Sequence, residues 1–321
     1  MVDLVVGTAL FRRIDTVRLR SAGVNVVGLT IATAWPDLRG SLSRWHFQSQ
    51  GMPESAVGSH MAVAEWLIGR IDGWCAESGG SLLVIRSAGD LEACLAPGGP
   101  VGVLLGVQGG HVLDGSVGNV ARLRELGVRM LAPAHVMDNA LVGSGTGRSA
   151  TGLTDYGREV IAELEAQSII VDLAHMSVAG IEDSLPLLRR PFVLSHTGLT
   201  DVAGARSRWR RFSPATRNIP ASLAAEIGAA GGLIGIVLST QLLGGSTLGA
   251  AVRTILFAID AAGAEHVAIG SDMDGALRML IDVEGLPALT GGLLEAGLAR
   301  STVEGFMGAN AVSLLRAGLP D

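Results

Sequence analysis

Short apolar runs recur along the chain and alternate with amphipathic segments. Eight runs rich in β-branched residues are predicted strands, at residues 2–6, 24–31, 101–107, 128–132, 168–173, 191–195, 232–238 and 266–270. Uninterrupted apolar runs are typical of parallel strands buried on both faces, whereas a strand with one solvated face alternates apolar and polar residues. The pattern therefore predicts an α/β protein with a parallel sheet.

The segments between the strands carry helix signals. One helix is predicted to open at Asp155, in DYGREVIAELEAQ, and another near Ser222, in SLAAEIGAAGG, where the glycines end it. Eight strands with helical connections favour a (β/α)8 TIM-like barrel, and a doubly wound open sheet is the alternative. A ninth apolar run, at residues 82–86, is predicted to be an accessory strand.

Composition narrows the class of protein. A chain of 321 residues with 48% hydrophobic and 17% charged residues can bury a large core. No linker-like segment divides it, so residues 1–321 are predicted to form one barrel domain. The net charge of -6 argues against a nucleic-acid partner.

Targeting signals are not evident in the sequence. No run of about 18 apolar residues occurs, and the start MVDLVVGTALFRR lacks the basic-then-apolar order of a signal peptide. We therefore expect a cytoplasmic protein with no membrane partner. Cys75 and Cys94 lie in no metal-like cluster and are predicted to be free thiols.

Polar side chains stand where several predicted strands end. Gln108, His135, His175, His196 and Asp272 each follow such a run, and Arg217 and Asn218 lie in the long loop before residues 232–238. In a barrel the carboxyl ends of the strands meet at one rim, so these groups are expected to converge on a metal site or an acid/base site. The other four histidines, His46, His60, His111 and His266, are assigned no role in this chemistry.

Several motifs resemble those of the membrane (renal) dipeptidase family, peptidase family M19. They are VRMLAPAH, GLTDYGREVIAEL, VDLAHMS, LSHTGL, TRNIP, AIGSDMDG and MGANAVSLLRAGL, in that order over nearly the whole chain. The resemblance implies a TIM-like barrel of the metal-dependent amidohydrolase type with two zinc ions at the rim.

The same resemblance implies that some zinc ligands are lost. One zinc would be held by His175 and His196, and the other by Asp272 with two residues of the first strand, where this chain has Val5 and Gly7. The carboxylate that bridges both ions in the family falls on Gln108. A neutral amide does not offset the repulsion between two dications, so we expect no zinc, or one weakly bound at His175, His196 and Gln108.

The substrate-handling positions of the family are retained. His135 matches the histidine that stabilises the tetrahedral intermediate, and Arg217 matches the arginine that pairs with the substrate carboxylate, with Asn218 beside it. A planar guanidinium suits this task because it binds a carboxylate through two parallel hydrogen bonds. The resemblance thus implies a small substrate that bears a carboxylate, and a homodimer.

Three functional interpretations stay open. The first is a divergent enzyme in which His135, His175, His196 and Asp272 carry out acid/base chemistry on a small amide or amino-acid-derived substrate. The second is a dipeptidase with a single zinc ion, since one zinc can activate water. The third is a non-catalytic barrel that serves as a binding or interaction protein.

Overall fold

The computed structural model describes residues 1–6, 14–34, 47–204, 213–273 and 277–321. Gly7 and His46 lie outside these ranges. The strands are β1 (Val2–Val6), β2 (Val26–Ala32), β3 (Leu82–Val84), β4 (Val101–Gln108), β5 (Met130–Ala132), β6 (Ile170–Val171), β7 (Val193–Thr197), β8 (Leu233–Ile236) and β9 (Val267–Ile269). Each coincides with one of the nine predicted apolar runs.

The strands are parallel and follow one another around a barrel. The pairing order is β1-β2-β4-β5-β6 in one sheet and β7-β8-β9 in the other. Asp172 bridges to Val193 between β6 and β7, and the Asp272 N–H donates to the Val5 carbonyl at 3.0 Å between β9 and β1. These two junctions close the ring, so the predicted (β/α)8 barrel is confirmed and the open-sheet alternative is wrong.

The strand β3 is the predicted accessory strand. It pairs with the first half of β4, from Val101 to Val103, on the side where β5 pairs with the second half, from Gly106 to Gln108. It therefore widens the wall without adding a member to the ring.

Helices connect the strands and cover the outside of the barrel. They are α1 (Thr16–Ser21), α2 (His60–Glu77), α3 (Ala88–Leu95), α4 (Asn119–Glu125), α5 (Asp155–Ala166), α6 (Val178–Ser184), α7 (Thr200–Ala203), α8 (Pro214–Arg217), α9 (Ala221–Ala229), α10 (Leu248–Ala262), α11 (Leu286–Glu295), α12 (Arg300–Glu304) and α13 (Asn310–Gly318). The predicted helix at Asp155 is α5, and its capping residue is Thr154, whose hydroxyl accepts the Gly157 N–H. In the parts of the chain that the structure describes, no helix combines the length and apolarity needed to cross a bilayer.

Side-chain alternation along β4 positions the candidate site. Val103, Leu105 and Val107 belong to the core that the strands share with the outer helices, whereas Leu104 packs in a separate inner cluster. Successive side chains of a strand point to opposite faces, so Gln108 shares the inner face with Leu104. Gln108 is also the last residue of β4, which places it at the carboxyl end of the barrel interior.

The amino end of the barrel is closed by hydrophobic packing. Leu314 and Leu315 of α13 belong to the inner cluster, together with Val2 at the start of β1 and Leu233 at the start of β8. The polar interior is thereby confined to the opposite end, where the strands finish.

Candidate functional site

The predicted site residues lie at the carboxyl end of the barrel. His196 is within β7, Gln108 ends β4, and the remaining residues follow strands or end α8: His135, His175, Arg217 and Asp272. All are buried except Asp272, which is half-buried as a residue. The segment predicted as a long loop before β8 contains α8 and α9, and Arg217 is the last residue of α8.

Three imidazoles stand in one row. The ring centroids of His135 and His175 are 4.7 Å apart, and those of His175 and His196 are 4.9 Å apart, both in edge-to-face arrangements. The Nε2 atoms of His175 and His196 are hydrogen-bonded to each other at 3.0 Å. The structure thus brings together three histidines that the sequence predicted to meet at the rim, while their roles stay a prediction.

His196 is held by a buried hydrogen-bonded chain. The Ser195 hydroxyl donates to Oδ2 of Asp172 at 2.6 Å. The Ser195 Oγ atom also lies 2.8 Å from Nδ1 of His196. The backbone N–H groups of Ser195 and Ala174 donate to the other carboxyl oxygen of Asp172, at 2.9 and 3.0 Å. We call Asp172 and Ser195 the His196 brace.

The brace determines which nitrogen of each ring carries the proton. With Asp172 ionised, the Ser195 proton goes to the carboxylate, so Nδ1 of His196 must donate to the Ser195 oxygen. Nε2 of His196 then has the lone pair and accepts the proton of Nε2 of His175. Nδ1 of His175 is left as a buried acceptor, and it has no partner among the described residues.

A second brace of the same kind lies beside Asp272. Asp3 of β1 accepts the Ser271 hydroxyl and, at 2.9 Å, the Ser271 N–H, just as Asp172 accepts both groups of Ser195. Each brace aspartate follows a valine and precedes a leucine, and each brace serine directly precedes a site residue, His196 or Asp272. We call Asp3 and Ser271 the Asp272 brace.

Two site residues have unusual backbone conformations. His175 and Asp272 have φ values of 66° and 57°, in the left-handed region that residues with a Cβ seldom adopt. Such conformations cost free energy and cluster at functional sites. The loops after β6 and β9 are therefore strained at the residues that point an imidazole and a carboxyl group toward the rim.

Arg217 carries a buried positive charge without an ion pair. Its Nη2 donates to the backbone carbonyl of His196 at 2.9 Å, and its side chain forms no salt bridge within the described residues. Burial lowers the pKa of Arg217 to about 10, while Asp272 and Asp172 act in the opposite direction. The guanidinium thus stays protonated at neutral pH in a poorly solvated position.

The surrounding groups are mostly neutral. Burial lowers the pKa of His135 to about 4 and brings those of His175 and His196 well below their usual value, with Arg217 adding to the effect in all three. Burial raises the pKa of the Asp272 carboxyl to about 7, against the lowering influence of Arg217. The rim therefore combines neutral imidazoles, one cation and one carboxyl group that ionises near neutrality.

The residues present do not fit a dinuclear zinc centre. Val5, which the resemblance places at a zinc-ligand position of the family, is a fully buried hydrocarbon, and Nε2 of the Gln108 amide is buried without a hydrogen-bond partner in the described part of the chain. Within that part, no group of three His, Cys, Asp or Glu side chains is arranged to hold a metal ion. Gly7, the other family ligand position, falls outside it.

For a single metal ion, the hydrogen bonds around His196 are suitable and those around His175 are not. The brace fixes the proton of His196 on Nδ1 and leaves Nε2 free to ligate, which is the usual arrangement of a metal-binding histidine. His175 would have to carry its proton on Nδ1, where no described residue accepts it. A metal ion at this position would therefore lack ligands, and one of its two histidines would lack a supporting hydrogen bond.

The Asn218 side chain is engaged by the backbone. Its Nδ2 donates to the Leu242 carbonyl at 2.8 Å, and its Oδ1 accepts the Gly198 N–H at 3.2 Å. These bonds join three loops of the rim and fix the end of α8. A substrate contact by Asn218 stays a prediction, and both the oxygen and the nitrogen of its amide already have backbone partners.

Sequence reasoning did not find the four brace residues. The signal was present, because the tripeptide VDL occurs at residues 2–4 and 171–173, and a serine precedes both His196 and Asp272. A polar residue inside an otherwise apolar buried strand needs a hydrogen-bond partner. That rule would have directed attention to Asp3 and Asp172.

Comparisons with known proteins agree with the fold and the motifs. The sequence model of "Membrane dipeptidase (Peptidase family M19)" matches residues 7–318. A metallopeptidase from Rhodobacter sphaeroides, solved with a phosphinate mimic of the dipeptide L-Ala-D-Ala, is 22% identical, with a TM-score of 0.82 over 99% of this chain and 98% of that one. A dipeptidase described as an M19 metallopeptidase is 22% identical, with a TM-score of 0.79 over 100% and 98% of the two chains.

A third solved structure has the same fold. An amidohydrolase from Pseudomonas aeruginosa is 21% identical, with a TM-score of 0.77 over 98% of this chain and 95% of that one. The structural likenesses establish a shared fold, and the family match spans nearly the entire sequence. This chain therefore belongs to the membrane dipeptidase family, peptidase family M19.

Proposed function

We propose that the protein is a divergent M19 enzyme that binds a small carboxylate-bearing amide or amino-acid-derived molecule at the rim and acts on it by acid/base chemistry. The observation that carries the proposal is the positive charge of Arg217, which has no ion-pair partner among the described residues and is buried beside three imidazoles whose pKa values are lowered. Hydrolysis by a zinc-bridged hydroxide has no part in it, because the residues do not fit two zinc ions.

The charge of Arg217 favours an anionic ligand. Burying a cation without a partner is costly, and a carboxylate in the pocket would remove that cost through charge-assisted hydrogen bonds. Arg217 uses Nη2 to hold the His196 carbonyl, and this contact orients the rest of the guanidinium. A carboxylate would thereby bind next to the row of imidazoles.

Proton transfer would fall to His135 and Asp272. Asp272 titrates near neutrality and can take up and release a proton at little energetic cost, whereas the lowered pKa of His135 makes its neutral imidazole the weaker base of the two. His175 follows β6 and His196 lies within β7, and their shared hydrogen bond joins the two strand ends in the polar wall of the pocket. The class of reaction is elimination, isomerisation or condensation next to the bound carboxylate.

A single-zinc dipeptidase is the second candidate. The observation in its favour is the convergence of the two Nε2 atoms of His175 and His196 to 3.0 Å. Such an ion would supply activated water. The unsupported Nδ1 of His175 weighs against tight binding.

Calorimetric titration with two matched probes tests the carboxylate site. The probes are N-acetylalanine, in both enantiomers, and its C-terminal amide, which lacks the negative charge. Arg217→Ala should weaken binding of the acid by about ten- to a hundredfold, because a charge-assisted contact contributes about 1.5–3 kcal/mol. Binding of the amide should change little, and Arg217→Lys should recover only part of the loss.

Arg129 offers a matched control. Like Arg217, it is 7% exposed and has a pKa lowered by burial to about 10. Its guanidinium donates to the carbonyls of Arg86, Arg124 and Val128, on the side of the barrel where strands begin. The proposed carboxylate site is wrong if Arg129→Lys weakens binding of the acid as much as Arg217→Lys does. It is also wrong if the natural chain binds the acid and the amide equally tightly.

A further inference from the structure

Two histidines outside the proposed pocket face each other next to it. The rings of His60, at the start of α2, and His111, in the turn after β4, have centroids 5.6 Å apart and planes inclined by 51°. A Cβ placed on Gly109 would lie 3.4 Å from Nδ1 of His111 and 3.3 Å from Cβ of His135. The pair therefore adjoins the row of three rim imidazoles.

The separation of the pair is fixed by Asp114. The Asp114 N–H donates to the His111 carbonyl at 3.0 Å, and its carboxylate accepts the N–H groups of His60 and Met61 at 3.0 and 3.2 Å. The carboxylate also accepts the Ser59 hydroxyl at 2.7 Å. One residue thus ties the start of α2 to the turn that carries His111, so the two imidazoles are held in place before any ligand binds.

Each ring has one nitrogen that can bind a ligand. Nδ1 of His60 lies 3.1 Å from the Thr33 carbonyl, which can only accept, so this nitrogen carries the proton and Nε2 has the lone pair. A backbone carbonyl on the far nitrogen is the usual support of a metal-binding histidine. Nδ1 of His111 is buried and has no hydrogen-bond partner among the residues that the structure describes.

An unsatisfied buried nitrogen calls for an explanation. Two imidazoles that share one tetrahedral metal ion, with metal–nitrogen bonds of about 2.0–2.1 Å, place their ring centroids roughly 5 Å apart. The observed separation of 5.6 Å needs only a small adjustment to reach this value. The pair has the spacing, the fixed backbone and the free nitrogens that a shared ion requires.

We propose that His60 and His111 form a binding site for one divalent transition-metal ion, through Nε2 of His60 and Nδ1 of His111. Water completes the coordination shell. Imidazole donors select zinc, copper or nickel over magnesium or calcium, which prefer oxygen ligands. The site is separate from His175 and His196 and does not depend on the carboxylate pocket.

Metal titration of the full chain tests the proposal. The His175→Ala/His196→Ala variant, freed of metal by dialysis against a chelator, removes the other pair of imidazoles. It should bind one zinc ion per chain in competition with a chromophoric chelator. With copper instead, the electron paramagnetic resonance spectrum should show coupling to two imidazole nitrogens.

Adding His60→Ala or His111→Ala to this variant should weaken zinc binding at least about tenfold. His266→Ala is the matched control, because His266 is also half-buried with Nδ1 3.0 Å from a backbone carbonyl, that of Gly232. It should leave zinc binding unchanged. The proposal is overturned if the His175→Ala/His196→Ala variant binds no zinc. It is also overturned if His266→Ala weakens zinc binding as much as His60→Ala and His111→Ala do.

A second measurement is used if circular dichroism shows that the His175→Ala/His196→Ala variant does not fold. The same single substitutions are then made in the otherwise natural chain. His60→Ala and His111→Ala should each lower the zinc content by one ion per chain, and His266→Ala should not. An unchanged zinc content in the first two overturns the proposal.

Discussion

Replacing Ser195 by alanine tests the hydrogen-bonded brace behind His196. The substitution removes one buried oxygen that connects Asp172, at 2.6 Å, to Nδ1 of His196, at 2.8 Å. Two hydrogen bonds are lost, each contributing about 1 kcal/mol, and a buried carboxyl oxygen and a buried ring N–H are left unsatisfied. We therefore expect Ser195→Ala to lower the free energy of unfolding by about 2–4 kcal/mol.

Ser239→Ala is a control of the same chemical size. Ser239 and Ser195 are both fully buried, but the Ser239 hydroxyl has no hydrogen-bond partner within the described segments of the chain. Removing an unsatisfied hydroxyl costs nothing in hydrogen bonding, so this variant should be within about 0.5 kcal/mol of the natural chain or more stable. The pair of variants separates the brace from a general effect of shortening a buried serine.

Urea unfolding followed by circular dichroism measures both changes, provided that the slope with denaturant stays the same. Nitrogen NMR of the histidine rings adds a readout of the proton position, because Nδ1 of His196 should carry the proton in the natural chain and lose that preference in Ser195→Ala. A loss of stability below about 1 kcal/mol, or equal losses in the two serine variants, would refute the brace.

Two further predictions concern Asp3 and the positions that the resemblance matches to zinc ligands. Burial raises the pKa of Asp3 from 3.8 to about 6, so its protonated form stabilises the fold below pH 4 and this contribution is lost as the pH rises through 6. Between pH 4 and pH 7.5 the free energy of unfolding of the natural chain should therefore fall by roughly 3 kcal/mol more than that of Asp3→Asn, a variant that keeps an acceptor for the Ser271 N–H. Identical pH dependence of the two proteins would contradict this. Combining Val5→His, Gly7→Asp and Gln108→Glu should restore ligands and raise the zinc content measured by elemental analysis after dialysis. No gain would mean that the rim no longer has the spacing of a dinuclear site.

The barrel was predictable because its strands are buried on both faces. This burial leaves continuous apolar runs such as VGVLLGV, and a polar residue that ends such a run, like Gln108, is expected at the rim. The accessory strand at residues 82–84 was predictable for the same reason. The convergence of His135, His175 and His196 followed from the geometry of the fold alone.

Cross-strand hydrogen bonds were beyond that reasoning. The contact between Asp172 and Ser195 depends on the bridge of Asp172 to Val193, which sets the register between β6 and β7. A run of apolar residues does not specify register to one residue. The pairing of His60 with His111 likewise depends on Asp114 joining the start of α2 to the turn after β4, two elements more than 50 residues apart.

The energetics of the rim favour a ligand-binding role over that of an inert scaffold. His175 and Asp272 hold left-handed backbone conformations that cost on the order of 1 kcal/mol each for residues with a Cβ. Arg217 adds a buried charge without an ion pair among the described residues. Each of these features lowers stability, and none improves the packing of the barrel. A carboxylate that binds Arg217 would offset the largest of these costs only when it is bound, and this selective stabilisation is what a binding site requires.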